Sequence, residues 1–504
     1  MEPTASTSEV SRYRAGVDVG GTFTDVLIHD RKSDSISVAK ILTTPDDPAT
    51  GILAGLIACL KQAGIRAADL DQIVHGTTLV TNALIQRTGV PTALVTTLGF
   101  RDVLDIAREH RFDMYDLLLE LPRPLVPRDC RFEIDERCFS DGSVYRAPRD
   151  EDVDRIIELL GHGDFRAVAV VFLHSFRNPA HERAVGRRIA EKLPDVRISL
   201  SCDVAGEVRE YERASTTVAN AYVQEVLQRY LRSVQEQLGN AGFRGRLLVM
   251  LSNGGLATVD TVTRYPVRAI ESGPAAGAIA AAQAGRLTGR TELLSFDMGG
   301  TTAKACLIDR GAPFVTHEFE VDRVFRFKTG SGLPIKAPAI DMIEIGAGGG
   351  SIARVDRFGL EKVGPESAGA SPGPACYGRG GGLPTVTDAD LVLGYLDPAY
   401  FLGGAMQLDR DAASAAIREY ISEPLDLSIA DAAWAIHRVV NENMASAARI
   451  HAVERGKDVR QYPIFAFGGA GPVHAFRVAE ILAIDRVIVP FAAGVGSTFG
   501  FLAA

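Results

Sequence analysis

The chain contains one short pattern twice, and the residue types in it are those that bind phosphate. Residues 18–22 read Asp-Val-Gly-Gly-Thr, and residues 297–301 read Asp-Met-Gly-Gly-Thr. Glycine permits a positive φ, so the backbone N–H groups of such a turn can converge on an anion. The threonine adds a hydroxyl donor, and the aspartate can hold Mg²⁺ through water. Each copy is therefore a candidate binding site for a magnesium-bound phosphate.

The repetition of the pattern decides between two interpretations. A single turn of this kind is more often an ordinary tight hairpin. Two copies with the same residues at the same offsets indicate two related half-domains that face one nucleotide. We predict that Asp18 and Asp297 organise Mg²⁺ and the attacking group. The predicted contacts to the β- and γ-phosphates are Gly20, Gly21, Thr22, Gly299, Gly300 and Thr301.

Apolar runs on both sides of each pattern have to position it. The runs 15–17 and 26–28 flank the first copy, and the runs 293–296 and 305–308 flank the second. Short apolar runs bounded by glycine turns are typical of strands. Each copy is thus predicted to be a strand, a glycine turn and a second strand.

Strands alternate with helices after the first hairpin. A strand is predicted at 72–74, a helix at 79–87 and a strand at 91–96. This alternation indicates a wound α/β sheet, whose ligands gather at the strand ends. His75 and Thr77 follow the first of these strands, so they are candidates for substrate contact. A helix-capping or hydrogen-bonded structural histidine fits His75 equally well.

A third glycine turn lies near the end of the chain. A strand at 463–467 precedes Gly468-Gly469-Ala470-Gly471, and a helix is predicted from about 475 to 482. Without side chains, such a turn lets a flat ring and a ribose lie against the backbone. Gly468, Gly469 and Gly471 are the predicted contacts to a nucleoside.

Glu271 directly precedes a helix rich in alanine and glycine. Ser272 can cap this helix, and Pro274 is compatible with its first turn. A helix with so little side-chain bulk can cross another at close range, either as a hinge between two lobes or as a tight core helix. We predict that Glu271 faces the cleft as a third catalytic residue.

Residues 328–404 shift in composition towards glycine and proline. Asp341 and Glu344 directly precede the cluster Gly346–Gly350, which favours ordered active-site loops. Asp341, Glu344, Gly348 and Gly349 are therefore further candidates for contact with a substrate. A disordered insert is the alternative, because glycine at this density is costly to order.

Arg101 lies in a segment, 99–116, that is rich in charged and aromatic residues. Such a mixture is typical of a solvated loop and helix face, and it could also cover a cleft. Arg101 is a candidate for substrate contact under the second interpretation.

Length and composition restrict the class of protein. A chain of 504 residues suits about three ordinary domains or two large ones. Its 46% hydrophobic and 23% charged residues are typical of a soluble globular protein. The net charge of −9, without a block of lysine and arginine, makes nucleic acid an unsuitable partner.

The cysteines and the apolar segments indicate the compartment. Six cysteines show no Cys-x-x-Cys spacing, which favours buried free thiols in a reducing cytosol over disulfides or a zinc site. Residues 1–12 are polar and are expected to be a disordered tail. No signal-like segment and no run of 18 apolar residues is present, so neither secretion nor a membrane span is expected. We expect a cytoplasmic protein.

Nine motifs together resemble the hydantoinase A/5-oxoprolinase family, within the superfamily of actin, sugar kinases and Hsp70 ATPases. They extend from about residue 13 to the end of the chain. In chain order they are GVDVGGTFTD (16–25), HGTT (75–78), TNA (81–83), GFRD (99–102), REYER (209–213), ESGP (271–274), FDMGGTTAK (296–304), GAGGGS (346–351) and FGGAGP (467–472).

The resemblance implies a fold and a chemistry. The fold is α/β and two-lobed, actin/hexokinase-like (ribonuclease H-like), with a nucleotide cleft between the lobes. Residues 13–200 and 201–504 are the two expected domains. The cofactors are ATP and Mg²⁺, and the chain is implied to be one subunit of an oligomer with a hydantoinase B-type subunit.

Three activities remain open at this point. The first is ATP-dependent ring opening of a cyclic amide, such as a hydantoin, N-methylhydantoin, oxoproline or lactam. The second is the ATP-hydrolysing role in an acetone or acetophenone carboxylase-type complex. The third is a truncated nucleotide-binding protein without catalysis.

The chain departs from the family pattern at two places. Many hydantoin and oxoproline members carry Asp-Ile-His-Thr before the glycine cluster, whereas Ile343 occupies the histidine position here. This resembles the carboxylase-like and N-methylhydantoinase-like branch. Family members also usually continue well past Gly500 into another domain, which is expected to be absent.

Overall fold

The computed structural model describes residues 12–44, 47–325 and 328–504, and it shows a mixed α/β fold. The tail predicted at residues 1–12 lies outside the described residues except for Arg12.

The strands are β1 (Tyr13–Val19), β2 (Phe23–Asp30), β3 (Ser35–Leu42), β4 (Leu70–Thr77), β5 (Thr92–Thr97), β6 (Arg131–Ile134), β7 (Arg137–Cys138), β8 (Val144–Arg146), β9 (Ala167–Val171), β10 (Arg197–Leu200), β11 (Arg246–Met250), β12 (Leu256–Thr258), β13 (Leu293–Met298), β14 (Ala303–Asp309), β15 (Ala312–Pro313), β16 (Val315–Thr316), β17 (Phe319–Val321), β18 (Leu333–Ile335), β19 (Ala339–Ile340), β20 (Ile343–Ile345), β21 (Ser351–Val355), β22 (Glu361–Ser367), β23 (Ile464–Phe467) and β24 (Val487–Ile488).

The α-helices range from single turns to a helix of 31 residues. They are α1 (Pro48–Ala63), α2 (Leu79–Ile85), α3 (Val103–Ile106), α4 (Asp150–His162), α5 (Ala180–Lys192), α6 (Ser201–Val204), α7 (Glu210–Asn240), α8 (Val259–Arg264), α9 (Ser272–Leu287), α10 (Val386–Val392), α11 (Arg410–Ile417), α12 (Glu423–Leu425), α13 (Ile429–Glu454), α14 (Gly471–Leu482) and α15 (Gly496–Ala503).

Two sheets repeat one arrangement around their glycine hairpins. In the first sheet β1 and β2 form the antiparallel hairpin, while β4 and then β11 continue the sheet in parallel. In the second, β13 and β14 form the hairpin, and β23 and then β24 continue in parallel. Asp18 pairs across its hairpin with Asp25, and Asp297 pairs with Lys304 at the equivalent position. The predicted strand, turn and strand units are thus present in both copies.

Each of the two sheets has its own hydrophobic core. Helices α1 and α7 cover the first sheet, and α13 and α14 cover the second. A third sheet, in the order β10-β9-β5-β6, is entirely parallel. Its central strand β9 is buried along its whole length, as expected when helices cover both faces of a parallel sheet.

Helix α9 is the alanine- and glycine-rich helix predicted after Glu271, and it lies against strands of both hairpin sheets. It also packs along α15. A Cβ on Gly277 would lie 2.7 Å from the ring of Phe467, and one on Gly500 would clash with the Ala276 carbonyl. The small side chains therefore allow the close packing that the sequence indicated, in a tight core helix.

Several predicted boundaries were wrong. Strand β4 reaches Thr77 because it pairs with β1 on one side and β11 on the other, so His75 lies inside a strand rather than at a turn. The helix predicted at 79–87 ends at Ile85. Residues 328–404 are ordered in short strands and helices, as predicted for loops near a site. Within the described part of the chain, every helix is too short or too polar to span a bilayer.

Candidate functional site

The two hairpin turns open into one pocket. Asp18 and Asp297 both line it, and about 750 Å³ of space, including the open mouth, lies between its lining residues. Ten of the residues predicted to bind Mg²⁺ or nucleotide line this pocket. They are Asp18, Gly20, Gly21, Thr22, Asp297, Gly299, Gly300, Thr301, Gly468 and Gly469.

The tips of the two hairpins touch each other. The Oγ1 atoms of Thr22 and Thr301 are 3.3 Å apart. A Cβ on Gly300 would lie 2.6 Å from Thr22 Oγ1. None of Gly20, Gly21, Gly299 and Gly300 has a positive φ, so the conformational reason that we gave for these glycines was wrong. At Gly300 the reason is space, because a side chain there would separate the two turns.

Each turn leaves a backbone donor for a ligand. Gly20 donates its N–H to the Phe23 carbonyl and Gly299 donates to the Thr302 carbonyl, which closes each turn at 3.0 Å. The next residues, Gly21 and Gly300, donate their N–H groups to no acceptor among the described residues. Free amides at glycine turns are suitable for phosphate oxygens.

Sequence reasoning missed two lysines that line the pocket. Lys40, on β3, donates from Nζ to Asp25 Oδ1 at 2.6 Å and to the Gly494 carbonyl at 2.9 Å. Lys304, on β14, forms an ion pair of 3.1 Å with Glu344. Lysine is a common phosphate-binding residue. Lys304 stands seven positions after Asp297, as Asp25 does after Asp18, so comparing the two copies beyond the threonine would have found it.

Asp18 and Asp297 are partly buried carboxyl groups in the lining of the pocket. Burial raises the pKa of Asp18 to about 6, partly offset by the hydrogen bond that Ser497 Oγ donates to Oδ2 at 2.6 Å. Burial raises the pKa of Asp297 to about 7, against the opposing effect of Lys304. A nearby cation lowers the cost of such buried charges. Two carboxylates beside free amides therefore match the oxygen ligands of Mg²⁺ and the donors needed by a phosphate chain.

The third glycine turn closes another side of the pocket. Gly468 has a φ of 86°, and a side chain at this position would clash with Asp297 and Met298. Gly469 lines the pocket next to it, near Lys40. Gly471 is the first residue of α14 and packs behind Met298 instead, so the structure does not bring it to the pocket.

Glu271 belongs to a group of charges beside the pocket rather than to its lining. Burial raises the pKa of Glu271 to about 8, with a further increase from Glu344 and an opposing effect of Lys304. Its N–H donates to Ser252 Oγ at 3.3 Å. Glu344 reaches the same lysine, so the two predicted candidates Glu271 and Glu344 meet around Lys304.

His75, Thr77 and Arg101, the candidates for substrate contact in the N-terminal half of the chain, lie in the interior or at the surface. His75 is 1% exposed, and its Nδ1 donates to the Val17 carbonyl at 3.3 Å while its Nε2 accepts from Tyr230 Oη at 2.8 Å. Burial lowers its pKa to about 4, so it is a neutral structural histidine, the alternative that we considered. Thr77 is buried and exchanges hydrogen bonds with Ser272. Arg101 donates to the Arg128 carbonyl, away from the pocket.

Among the candidates for substrate contact in the glycine-rich segment, Gly348 and Gly349 contact the backbone of the second hairpin turn instead of lining the pocket. Gly349 donates its N–H to the Gly299 carbonyl at 3.0 Å, and Gly350 donates to the Gly300 carbonyl at 2.6 Å. A Cβ on Gly348 would lie 2.6 Å from Thr301. Asp341 forms an ion pair with Arg455. Gly348, Gly349 and Asp341 thus lie outside the pocket lining, and the glycine loop fixes the position of the turn.

Known proteins are similar to this chain in both sequence and fold. Residues 14–193 match the family described as hydantoinase/oxoprolinase N-terminal region, and residues 213–504 match the family described as hydantoinase/oxoprolinase. The caprolactamase subunit alpha of Pseudomonas jessenii is 38% identical over 97% of this chain and 70% of its own length.

Two solved structures have the same fold. The structure of ATP-dependent caprolactamase from Pseudomonas jessenii matches with a TM-score of 0.81 at 37% identity, over 97% of this chain and 70% of that one. A nucleotide-free structure of acetone carboxylase, which carries out ATP-dependent acetone carboxylation, matches with a TM-score of 0.86 at 29% identity, over 97% of this chain and 70% of that one. Both similarities cover both hairpins of this chain.

Proposed function

Because this chain belongs to the hydantoinase/oxoprolinase family, we propose that it is the ATP-using subunit of an enzyme that activates a cyclic amide for ring opening. One observation supports the proposal most strongly. Two hairpins far apart in the sequence, each with an aspartate and free glycine amides, line one pocket and touch through Thr22 and Thr301. A phosphate chain between them would meet donors from both.

We propose the following roles for the residues of the pocket. Asp18 and Asp297 hold Mg²⁺, while the amides of Gly21 and Gly300 and the hydroxyls of Thr22 and Thr301 hold the β- and γ-phosphates. Gly468 and Gly469 lie against the nucleoside. The hairpin sheets would then be the cores of two lobes of an actin- and sugar-kinase-like ATPase, with the nucleotide between them.

The chemistry proposed for the site is activation of a poor leaving group. When bound with Mg²⁺, ATP would supply its γ-phosphoryl group to the amide oxygen and leave as ADP, after which addition of water to the ring carbon would break the C–N bond and release phosphate. The chain's own residues contribute position and charge, which account for most catalysis of phosphoryl transfer. Lys40 and Lys304 would offset the negative charge of the phosphates.

The similarity to caprolactamase supports a cyclic amide as substrate. Of the two solved structures, caprolactamase has the higher sequence identity to this chain, 37% against 29% for acetone carboxylase. Because that relative is named as a subunit, we propose that a hydantoinase B-type subunit completes the enzyme. The two carboxyls near Lys304, Glu271 and Glu344, are the proposed residues nearest to the ring.

Ketone carboxylation is the second candidate. It is supported by the TM-score of 0.86 to acetone carboxylase and by Ile343, which replaces the histidine of many hydantoin and oxoproline members. Ile343 lies on β20, next to Glu344, and pairs with Ala305 of the second hairpin. In this case the activated oxygen would belong to an enolate rather than to an amide.

ATP hydrolysis measured with a panel of substrates separates these functions. We would assay the chain alone and with a coexpressed B-type subunit, adding hydantoins, oxoproline, caprolactam, or acetone with bicarbonate. Stimulation by a cyclic amide supports the proposal, and stimulation only by ketone with bicarbonate supports the second candidate. Nucleotide binding without any stimulated turnover would contradict both and favour a non-catalytic nucleotide-binding protein.

A further inference from the structure

A second cluster of buried polar groups lies in the parallel sheet, away from the nucleotide pocket. Glu136 follows β6, Cys138 ends β7, and His181 lies in the first turn of α5. All three side chains are buried. Glu136 and its neighbour Thr97 stand at the carboxyl ends of adjacent parallel strands, the edge at which α/β sheets bind ligands.

The three potential ligand atoms lie within 4.8 Å of one another, and two of them already have the spacing of a tetrahedral metal site. His181 Nδ1 is 3.6 Å from Cys138 Sγ and 2.7 Å from Glu136 Oε2. With zinc–sulfur bonds of about 2.3 Å and zinc–nitrogen or zinc–oxygen bonds of about 2.0–2.1 Å, tetrahedral ligands are separated by about 3.3–3.6 Å. The nitrogen and sulfur already have this separation, and the carboxylate needs to move by only about 0.6 Å.

A hydrogen bond also fixes the orientation of the Glu136 carboxylate, as is usual for metal ligands. Thr97 Oγ1 donates to Glu136 Oε1, the oxygen that points away from His181. Thr97 Oγ1 in turn accepts the N–H of Leu173 at 2.9 Å. A hydrogen bond to the outer oxygen fixes the inner oxygen towards the cluster, which is the usual arrangement around a protein-bound metal.

The cluster combines donors that zinc accepts and lies near the surface. A carboxylate, a thiolate and an imidazole together are a donor set found at zinc sites. The side chain of His181 is 10% exposed, so one edge of the cluster reaches solvent.

A second buried group in the described part of the chain has ring positions that do not fit a metal. Asp390, His437 and His474 also lie close together, but the two imidazole rings are stacked at 4.7 Å with an angle of 21°. Each ring bonds a different oxygen of Asp390, at 3.0 and 3.2 Å. Nitrogens of parallel rings cannot point at one metal, so that group is a structural hydrogen-bond network.

We propose that Glu136, Cys138 and His181 bind one zinc ion. The zinc would join the β7–β8 hairpin to α5 at the end of the parallel sheet, with its fourth position facing the exposed edge of His181. The cysteines gave no such signal in the sequence, because the three ligands come from separate elements and no Cys-x-x-Cys spacing is involved. The site is independent of the proposed nucleotide pocket.

Cobalt provides a direct spectroscopic test on the full chain. After removal of metals with a chelator, Co²⁺ is titrated into the wild type, Cys138→Ser and the control Cys130→Ser, whose thiol lies elsewhere. We expect a thiolate-to-cobalt absorption that saturates at one Co²⁺ per chain, is displaced by Zn²⁺, is lost in Cys138→Ser and is kept in Cys130→Ser. Absence of the band from the wild type, or its persistence in Cys138→Ser, would overturn the proposal.

A second measurement needs no variant, in case Cys138→Ser does not fold. X-ray absorption of the zinc-loaded wild type should show one sulfur ligand at about 2.3 Å and nitrogen or oxygen ligands at about 2.0–2.1 Å. A zinc ion with only nitrogen and oxygen ligands, or no retained zinc after gel filtration, contradicts the site.

Discussion

Thr22 and Thr301 are separated by 279 positions in the chain, and their hydroxyl oxygens lie 3.3 Å apart. Each threonine ends an equivalent glycine turn on an equivalent hairpin. The contact therefore joins the two repeats at the pocket that they share. Since both turns are fixed by their own hydrogen bonds, the contact between them depends on the absence of a side chain at Gly300.

Replacing Gly300 by alanine should separate the two turns. The new Cβ would lie 2.6 Å from Thr22 Oγ1, so the hairpins must move apart. We expect Gly300→Ala to lower the free energy of unfolding by about 1–3 kcal/mol and to weaken ATP binding. Thermal unfolding and calorimetric titration with ATP and Mg²⁺ measure the two effects.

Gly299→Ala is the matched control, because a Cβ there meets no atom closer than the Thr302 carbonyl at 3.9 Å. The two glycines are neighbours, and neither has a positive φ, so backbone strain does not separate them. We expect Gly299→Ala to keep most of the stability. Equal losses in both variants would show that space at Gly300 is not the reason for the glycine.

Lys40 should contribute to the affinity for the triphosphate. We expect Lys40→Met to weaken ATP binding by about tenfold to a hundredfold, the effect of losing a charged hydrogen bond. Lys336→Met serves as the control, since Lys336 pairs with Glu207 and is absent from the pocket lining. If both variants bind ATP as the wild type does, Lys40 faces no phosphate.

Glu271 should make stability fall as the pH rises. Its pKa is raised from 4.5 to about 8, so between these values the folded state keeps a proton that the unfolded chain has released. The folded state binds more protons, and the free energy of unfolding therefore decreases with pH in this window. Glu271→Gln removes the titration, so its melting temperature should rise relative to that of the wild type between pH 5 and pH 8. Parallel pH profiles would argue against a buried protonated Glu271.

Asp297 and Asp18 should be needed for turnover but not for folding. We expect Asp297→Asn and Asp18→Asn each to reduce ATP hydrolysis by about a hundredfold or more, the order of loss for a group that stabilises charge during the reaction. Asparagine has nearly the same shape and carries no buried charge, so the melting temperature should not fall. Wild-type turnover in Asp297→Asn would refute the proposed role.

The local parts of the site could be predicted from the sequence. Both hairpins and the turn at Gly468 carry their signal within a few residues, because glycine between apolar runs specifies a turn between strands. The family resemblance rested on the same motifs and is confirmed by the matched families.

Residues brought to the pocket by tertiary structure could not be predicted in this way. Lys40 reaches it through the register of β2 with β3, and Ser497 bonds Asp18 from the last helix. His75 was placed at a turn because its apolar run ends at Val74, whereas pairing with strands on both sides extends β4 to Thr77. Neither register nor strand neighbours can be read from one segment.

The most direct test is a structure of the chain bound to Mg²⁺ and a non-hydrolysable ATP analogue. The account predicts phosphate oxygens within hydrogen-bond distance of the amides of both Gly21 and Gly300, Mg²⁺ near Asp18 and Asp297, and the nucleoside against Gly468 and Gly469. A nucleotide that contacts only one hairpin, or that binds outside this pocket, would contradict it.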